Sequence, residues 1–136
     1  MVPRDKADWP SSLASAEVPA HPDFVSSIRA MTRAMAVLGD MTLDDLEELQ
    51  MAVDEAAILL LPLIADDGQP TLRADFAIED GGLRITLGAR CRPDASLDRD
   101  GLPWMMLIAL DPDVAVTEED RRISIGIHRR SRSLRP

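Results

Sequence analysis

Few side chains in this 136-residue sequence can do chemistry, and their spacing decides which chemistry. A metal site needs ligands brought together at short spacing, and neither His21 nor His128 has such a companion. Both read as ordinary surface residues, and no metal is expected. Cys91 sits between Arg90 and Arg92 in a polar stretch. Neighbouring guanidinium groups can lower a thiol's pKa and open a redox role, but a plain exposed thiol is the simpler expectation. As the sole cysteine, it excludes an internal disulfide and a Cys-based zinc site, which fits a reducing cytoplasm. Arg29 and Arg33 stand one helical turn apart. Arginine suits interfaces, so the pair is a candidate contact for an acidic partner surface, with simple solubility as the alternative. Asp54 reads as a solvated helix-face carboxylate. Trp104, Met105 and Met106 offer either an exposed binding patch or a core-facing helix. The core-facing reading is expected for at least Met106 and Leu107.

The elements that must position these residues follow from pattern. Met41 to Leu61 is the longest periodic segment, with apolar residues at Leu46, Leu49, Val53, Ala56 or Ala57, and Leu60. Thr42 and Asp45 have the spacing of an N-cap and its capping box, and Met41 with Leu46 that of a hydrophobic staple. Asp44, Asp45, Glu47 and Glu48 crowd the first two turns, where the helix dipole favours them. Pro62 should end or kink the helix. An earlier helix begins at His21-Pro22-Asp23, carries Phe24, Ile28, Met31, Met35 and Leu38, and stops at Gly39. A short strand is possible near Ala16 to Val18. Leu72, Ala74, Phe76 and Ile78 alternate, Asp80-Gly81-Gly82 turns the chain, and Leu83, Ile85 and Leu87 return. Residues 90 to 100 read as a mobile polar loop, and Leu102 to Leu110 as a short apolar helix. Val114 and Val116 suggest a strand, Thr117 to Asp120 a turn, and Ile123, Ile125 and Ile127 a last strand. The expectation is an α+β, two-layer α/β sandwich, with helices on one face of a mixed, mainly antiparallel sheet.

Composition narrows the function classes. Hydrophobic residues make up 46%, enough for one globular domain. Aromatic residues are limited to two Trp and two Phe, so Leu, Ile, Val, Ala and Met must build the core. The net charge of −9 argues against general nucleic-acid binding and for a basic protein partner. No apolar run has the length of a membrane span, and Met1 to Ala20 lacks a signal-peptide pattern. Residues 1–15 read as a disordered tail, 16–130 as the domain, and 131–136 as a basic tail. Arg129, Arg130, Arg132 and Arg135 together read as a solvated, mobile terminus.

The segments V-P-A-H-P-D-F-V-S-S-I-R (18–29), D-D-L-E-E-L-Q-M-A-V-D-E-A (44–56), M-L-I-A-L-D-P-D-V (106–114) and R-I-S-I-G-I-H-R-R (122–130) resemble anti-sigma factors of the RsbW and SpoIIAB type. These are small serine kinases with the GHKL, or Bergerat, fold of histidine-kinase ATP domains. The resemblance covers roughly residues 16 to 130, and L-x-M-A-V-D-E-A is its most specific piece. It implies a cytoplasmic protein, commonly a homodimer, that sequesters a stress or sporulation sigma factor and so regulates transcription. An anti-anti-sigma (STAS) protein competes for it, and active members phosphorylate that protein with Mg-ATP.

The resemblance also assigns positions. Glu55 matches the glutamate of the family's E-x-x-x-N motif, the general base. Leu59 stands where the family has the Mg-binding asparagine, and leucine cannot ligate a hard cation. No match to the D-x-G-x-G box is found in G-A-R-C-R-P (88–93), and Pro103 and Trp104 fall where the next glycine-rich box is expected. Glu55 is therefore read as a relic general base, and no cofactor is expected. Arg29 and Arg33 are the candidate partner contacts. The implied function is an anti-sigma scaffold with weak or lost ATP binding. The alternatives are a Mg-ATP-dependent serine kinase acting on a STAS protein, or an interaction domain serving a different module. Direct contact with nucleic acid or membrane is not expected.

Overall fold

A computed structural model describes residues 13–79 and 81–131. Its elements run β1 (Ala14–Pro19), α1 (Val25–Leu38), α2 (Leu43–Leu60), β2 (Thr71–Glu79), β3 (Gly82–Arg90), α3 (Leu102–Leu110), β4 (Ala115–Glu119) and β5 (Arg122–Arg130). β1 already includes Ala14 and Ser15, so it starts before the expected domain boundary at residue 16. Leu13 is described as well, its N–H donating to the Phe76 carbonyl at 2.8 Å; residues 1–12, and Arg132 and Arg135 of the basic tail, lie outside the described residues.

Local chemistry sets the helix ends. The His21 ring nitrogen accepts the Asp23 N–H at 3.1 Å, and Pro22 opens a short 3-10 turn that runs into α1. Thr32 is buried in α1, and its hydroxyl donates to the Ile28 carbonyl at 2.8 Å. That bond satisfies a polar group the core could not otherwise hold. Gly39 ends the helix, and Asp40 takes a left-handed φ of 56° to turn the chain. α2 then starts on the expected capping box: Asp45 N–H donates to Thr42 Oγ1, and the Asp45 carboxylate accepts from the Thr42 N–H. α2 ends at Leu60, and Pro62 falls in the 3-10 turn Leu61–Leu63 that follows.

The five strands form one sheet in the order β1-β2-β3-β5-β4. Every pairing is antiparallel, so the sheet is simpler than the mixed one expected. The β2–β3 hairpin turns at Gly81, whose φ is 71°. The β4–β5 hairpin turns at Asp120 and Arg121, with φ of 52° and 65°. Two central residues with positive φ match the right-handed twist of the strands. Thr117, Glu118 and Glu119 therefore belong to strand β4 and not to the turn.

The helices cover one face. α1 packs over β2 and β3, α2 over β3 and β5, and α3 against α2. Leu72, Ala74 and Phe76 meet Leu83, Ile85 and Leu87 beneath them, with Ile123, Ile125 and Ile127 from β5. The opposite face carries polar residues such as Arg73 and Asp75, an ion pair 3.1 Å apart.

The expectation of a solvated basic tail is corrected at Arg129. Arg129 and Arg130 belong to β5, and the Arg129 side chain is only 18% exposed. Its guanidinium pairs with Glu48, stands 3.6 Å from the fully buried Asp45, and donates to the Leu110 carbonyl at 2.8 Å. One side chain thus joins β5 to the first turns of α2 and the last turn of α3. Removing it would take a guanidinium from beside a buried carboxylate, the costly way to break such a pair. Arg129→Met is expected to lower stability by about 3 kcal/mol in urea unfolding, whereas Thr42→Ala loses only the cap, about 1 kcal/mol. A loss for Arg129→Met no larger than that for Thr42→Ala would show the pair to be solvent-screened.

Candidate functional site

α2 is the helix on which the candidate residues converge, and it has two working sides. One side faces α1. There Gln50 Nε2 donates to the Arg29 carbonyl at 3.3 Å, and the Arg29 guanidinium stands 3.6 Å from the Asp54 carboxylate. Arg29 and Asp54 lie at the rim of a groove of about 650 Å³ walled by Val25, Ile58, Leu61 and Pro62. Asp54 is thus an ion-pair partner and not simply a solvated carboxylate. Burial lifts its pKa above the ordinary value, against the lowering by Arg29. Arg33, one turn on, is exposed.

The other side of α2 faces α3. Arg129 ties Glu48 to the Leu110 carbonyl, so the stripe Glu48, Ala52, Glu55 and Leu59 lies toward α3. Glu55 is half-buried there. Leu59 is 6% exposed and belongs to the core. The resemblance expects an oxygen ligand for a metal-bound phosphate at this turn, and the position instead holds a hydrocarbon packed among other hydrocarbons. The residues present do not fit that group. Across from this stripe, α3 begins with Gly101 as its N-cap and Pro103 in its first turn. Proline has no N–H to direct at an anion. The Trp104 ring is half-buried and covered by the Arg99 guanidinium, 5.2 Å from its centroid.

Two expectations about single residues are corrected. Cys91 is buried, not an exposed thiol. Its N–H donates to the Arg121 carbonyl at 2.7 Å, and its residue bridges to Ile64. Burial pushes the thiol pKa up, and the nearby arginines only partly offset this. The loop that read as mobile therefore starts as an anchored segment. Met106 is 37% exposed; in the expected pair, only Leu107 is fully in the core. The histidines serve local structure, and His128 is half-buried in β5 and not a plain surface residue. His21 caps the turn before α1, and the His128 ring contacts the Glu79 carbonyl at 3.2 Å. Among the described residues, no three His, Cys, Asp or Glu side chains are grouped to hold a metal ion.

Sequence reasoning missed Asp111, which is nearly buried. Its carboxylate accepts the His128 N–H of β5 at 3.0 Å and the Asp113 N–H at 3.0 Å. It fastens the end of α3 to the sheet. An aspartate two residues before another N–H donor is a local turn signal, but its bond to β5 leaves no trace in sequence.

No protein-family model matches the chain, and neither does any curated protein. Its fold is similar to the crystal structure of the RsbU and RsbW domains of Rv1364c from Mycobacterium tuberculosis, with a TM-score of 0.62 at 17% sequence identity. The likeness covers 86% of this chain and 32% of that one, so this chain spans about a third of the length of the chain it matches. At this identity the likeness shows the fold: α+β, and shared with a chain that contains an RsbW domain. No helix among the described residues is long and apolar enough to cross a membrane.

Three outcomes follow from this geometry. Leu59→Asn puts an amide in an apolar interior and is expected to cost about 2–3 kcal/mol in denaturant unfolding. A neutral result would mean that solvent reaches this turn. Thiol labelling of native Cys91 is expected to run at least about a hundredfold slower than in denaturant, and equal rates would place the thiol at the surface. The Asp54 carboxyl, with its raised folded pKa, costs stability as pH rises through the window above 3.8. Asp54→Asn should therefore be neutral below that window and gain stability relative to the parent above it, in unfolding measured across pH.

Proposed function

We propose that the chain is a protein-binding regulator of the anti-sigma type, in which nucleotide chemistry has been lost. The observation that carries the loss is Leu59, buried in the core at the turn where the kinase reading needs an oxygen ligand for magnesium. The fold shared with a chain containing an RsbW domain supports the anti-sigma class. Glu55 then persists as a half-buried helix carboxylate without a metal-bound phosphate to act on.

The partners on this reading are a sigma factor of the stress or sporulation class and a competing STAS protein, met in the cytoplasm by a homodimer. Arg33 is free to meet an acidic surface directly. Arg29 is held by Asp54, so it can join only by exchanging one carboxylate for another. That exchange favours a partner carboxylate placed at the rim of the α1–α2 groove. Release depends on competition between partners, since phosphorylation needs the Mg-ATP site.

Titration calorimetry of the folded protein with ATP, with and without Mg²⁺, tests the first half. No detectable heat is expected. Micromolar binding that strengthens with Mg²⁺ would replace this reading with the serine-kinase one. Co-expression with candidate sigma factors tests the second half. A stable complex is expected, and Arg33→Glu is expected to weaken it about tenfold through charge reversal at the contact. A complex indifferent to Arg33→Glu would move the contact off α1.

A further inference from the structure

We infer that the outward face of α3 is a docking surface for an amphipathic helix with basic residues at both ends. α3 has nine residues and no charged side chain among them. A helix apolar on all sides is normally covered on all sides. Here α2 covers only one: Leu107 is fully buried, and Trp104 and Leu110 are half-buried. Leu102, Met105 and Met106 fall on the opposite side and are 67%, 57% and 37% exposed, and Ile108 flanks them at 38%. Methionine side chains adapt to apolar partners of varied shape, and two of these four are methionines.

Charge selects the occupant. Asp98 and Asp100 stand exposed just before the strip, and Asp113 stands exposed just after it. Asp98 Oδ1 accepts the Asp100 N–H at 3.0 Å, and its other oxygen stays beside Gly101 at the helix start. The one nearby cation before the helix, Arg99, lies over the Trp104 ring. At the other end Arg129 is engaged with Asp45, Glu48 and the Leu110 carbonyl. The strip is thus apolar in the middle and acidic at both ends. A second copy of this chain, with a net charge of −9, would set acid against acid. A helix with apolar residues at i, i+3, i+4 and i+7 and lysine or arginine in its first and last turns is complementary along its whole length. This face lies across α2 from Arg29 and Arg33, so the inference does not rest on the anti-sigma reading.

The test uses the full chain and a synthetic helical peptide of about 18 residues. Leucines make its stripe and lysines its two ends; a control peptide carries glutamates at the ends. Calorimetry is expected to give micromolar binding of the lysine peptide, weakened by salt, and at least about tenfold weaker binding of the glutamate peptide. Met105→Lys and Leu102→Lys, both at exposed positions, should each weaken lysine-peptide binding at least about tenfold while leaving the thermal midpoint unchanged. The inference is overturned by failure of the lysine peptide to bind, by equal binding of both peptides, or by undiminished binding to both variants. A dimer in sedimentation that both variants dissolve would give the face to a second copy and overturn it too.

Discussion

The arrangement depends on a buried ionic junction. The Arg129 guanidinium, on the strand that completes the sheet, meets two carboxylates of α2 and the last carbonyl of α3. Asp45 takes part twice, since the same carboxylate closes the capping box with Thr42. Removing these charges from water is expensive, and their attraction only roughly offsets that expense. What the junction supplies is position. Hydrophobic contact would tolerate a sliding α2, but a carboxylate that must serve both its own helix start and an arginine on β5 does not. The register of α2 on the sheet decides which residues face α1 and which face α3.

That division explains the character of the two sides. Toward α1 the helix offers Gln50 and Asp54, which bind Arg29 and leave an open groove. Toward α3 it offers Ala52 and Leu59, which permit close packing. Ala52 and Leu59 are aliphatic and buried, so this side of α2 is apolar where the α1 side is polar. The consequence is an uneven helical layer, in which α3 is held at its C-terminal end by Asp111 and Arg129 while its outer side stays bare.

Much of this was legible in the sequence, for local reasons. Capping residues, a Pro at a helix start, a Gly at a helix end and strict alternation in β2, β3 and β5 are signals carried by neighbours in the chain. Thr42 with Asp45, and Leu83 with Ile85 and Leu87, are cases. Other features depend on what lies opposite in space. Arg129 is followed by further arginines and reads as tail, because its acids sit some eighty positions earlier on α2. Cys91 reads as exposed because its loop is polar, yet Ile64 and Arg121 enclose it. Met106 reads as core-facing and is exposed, because a helix without polar residues gives no indication of which side faces the core. At the candidate site, the leucine at position 59 was readable, but its burial was not.

The sheet order carries a consequence for how the domain is made. β5 is the last of the described strands in sequence, yet it lies between β3 and β4. A chain emerging from the ribosome therefore has its hairpin of β2 and β3 before it has the strand that covers the open edge of β3. Until Ile123 to Arg130 arrive, that edge carries unpaired backbone groups, and the Arg129 guanidinium is not yet beside Asp45. The sheet is therefore closed only by the last of the described strands, and the β3 edge is open to other chains in the interval.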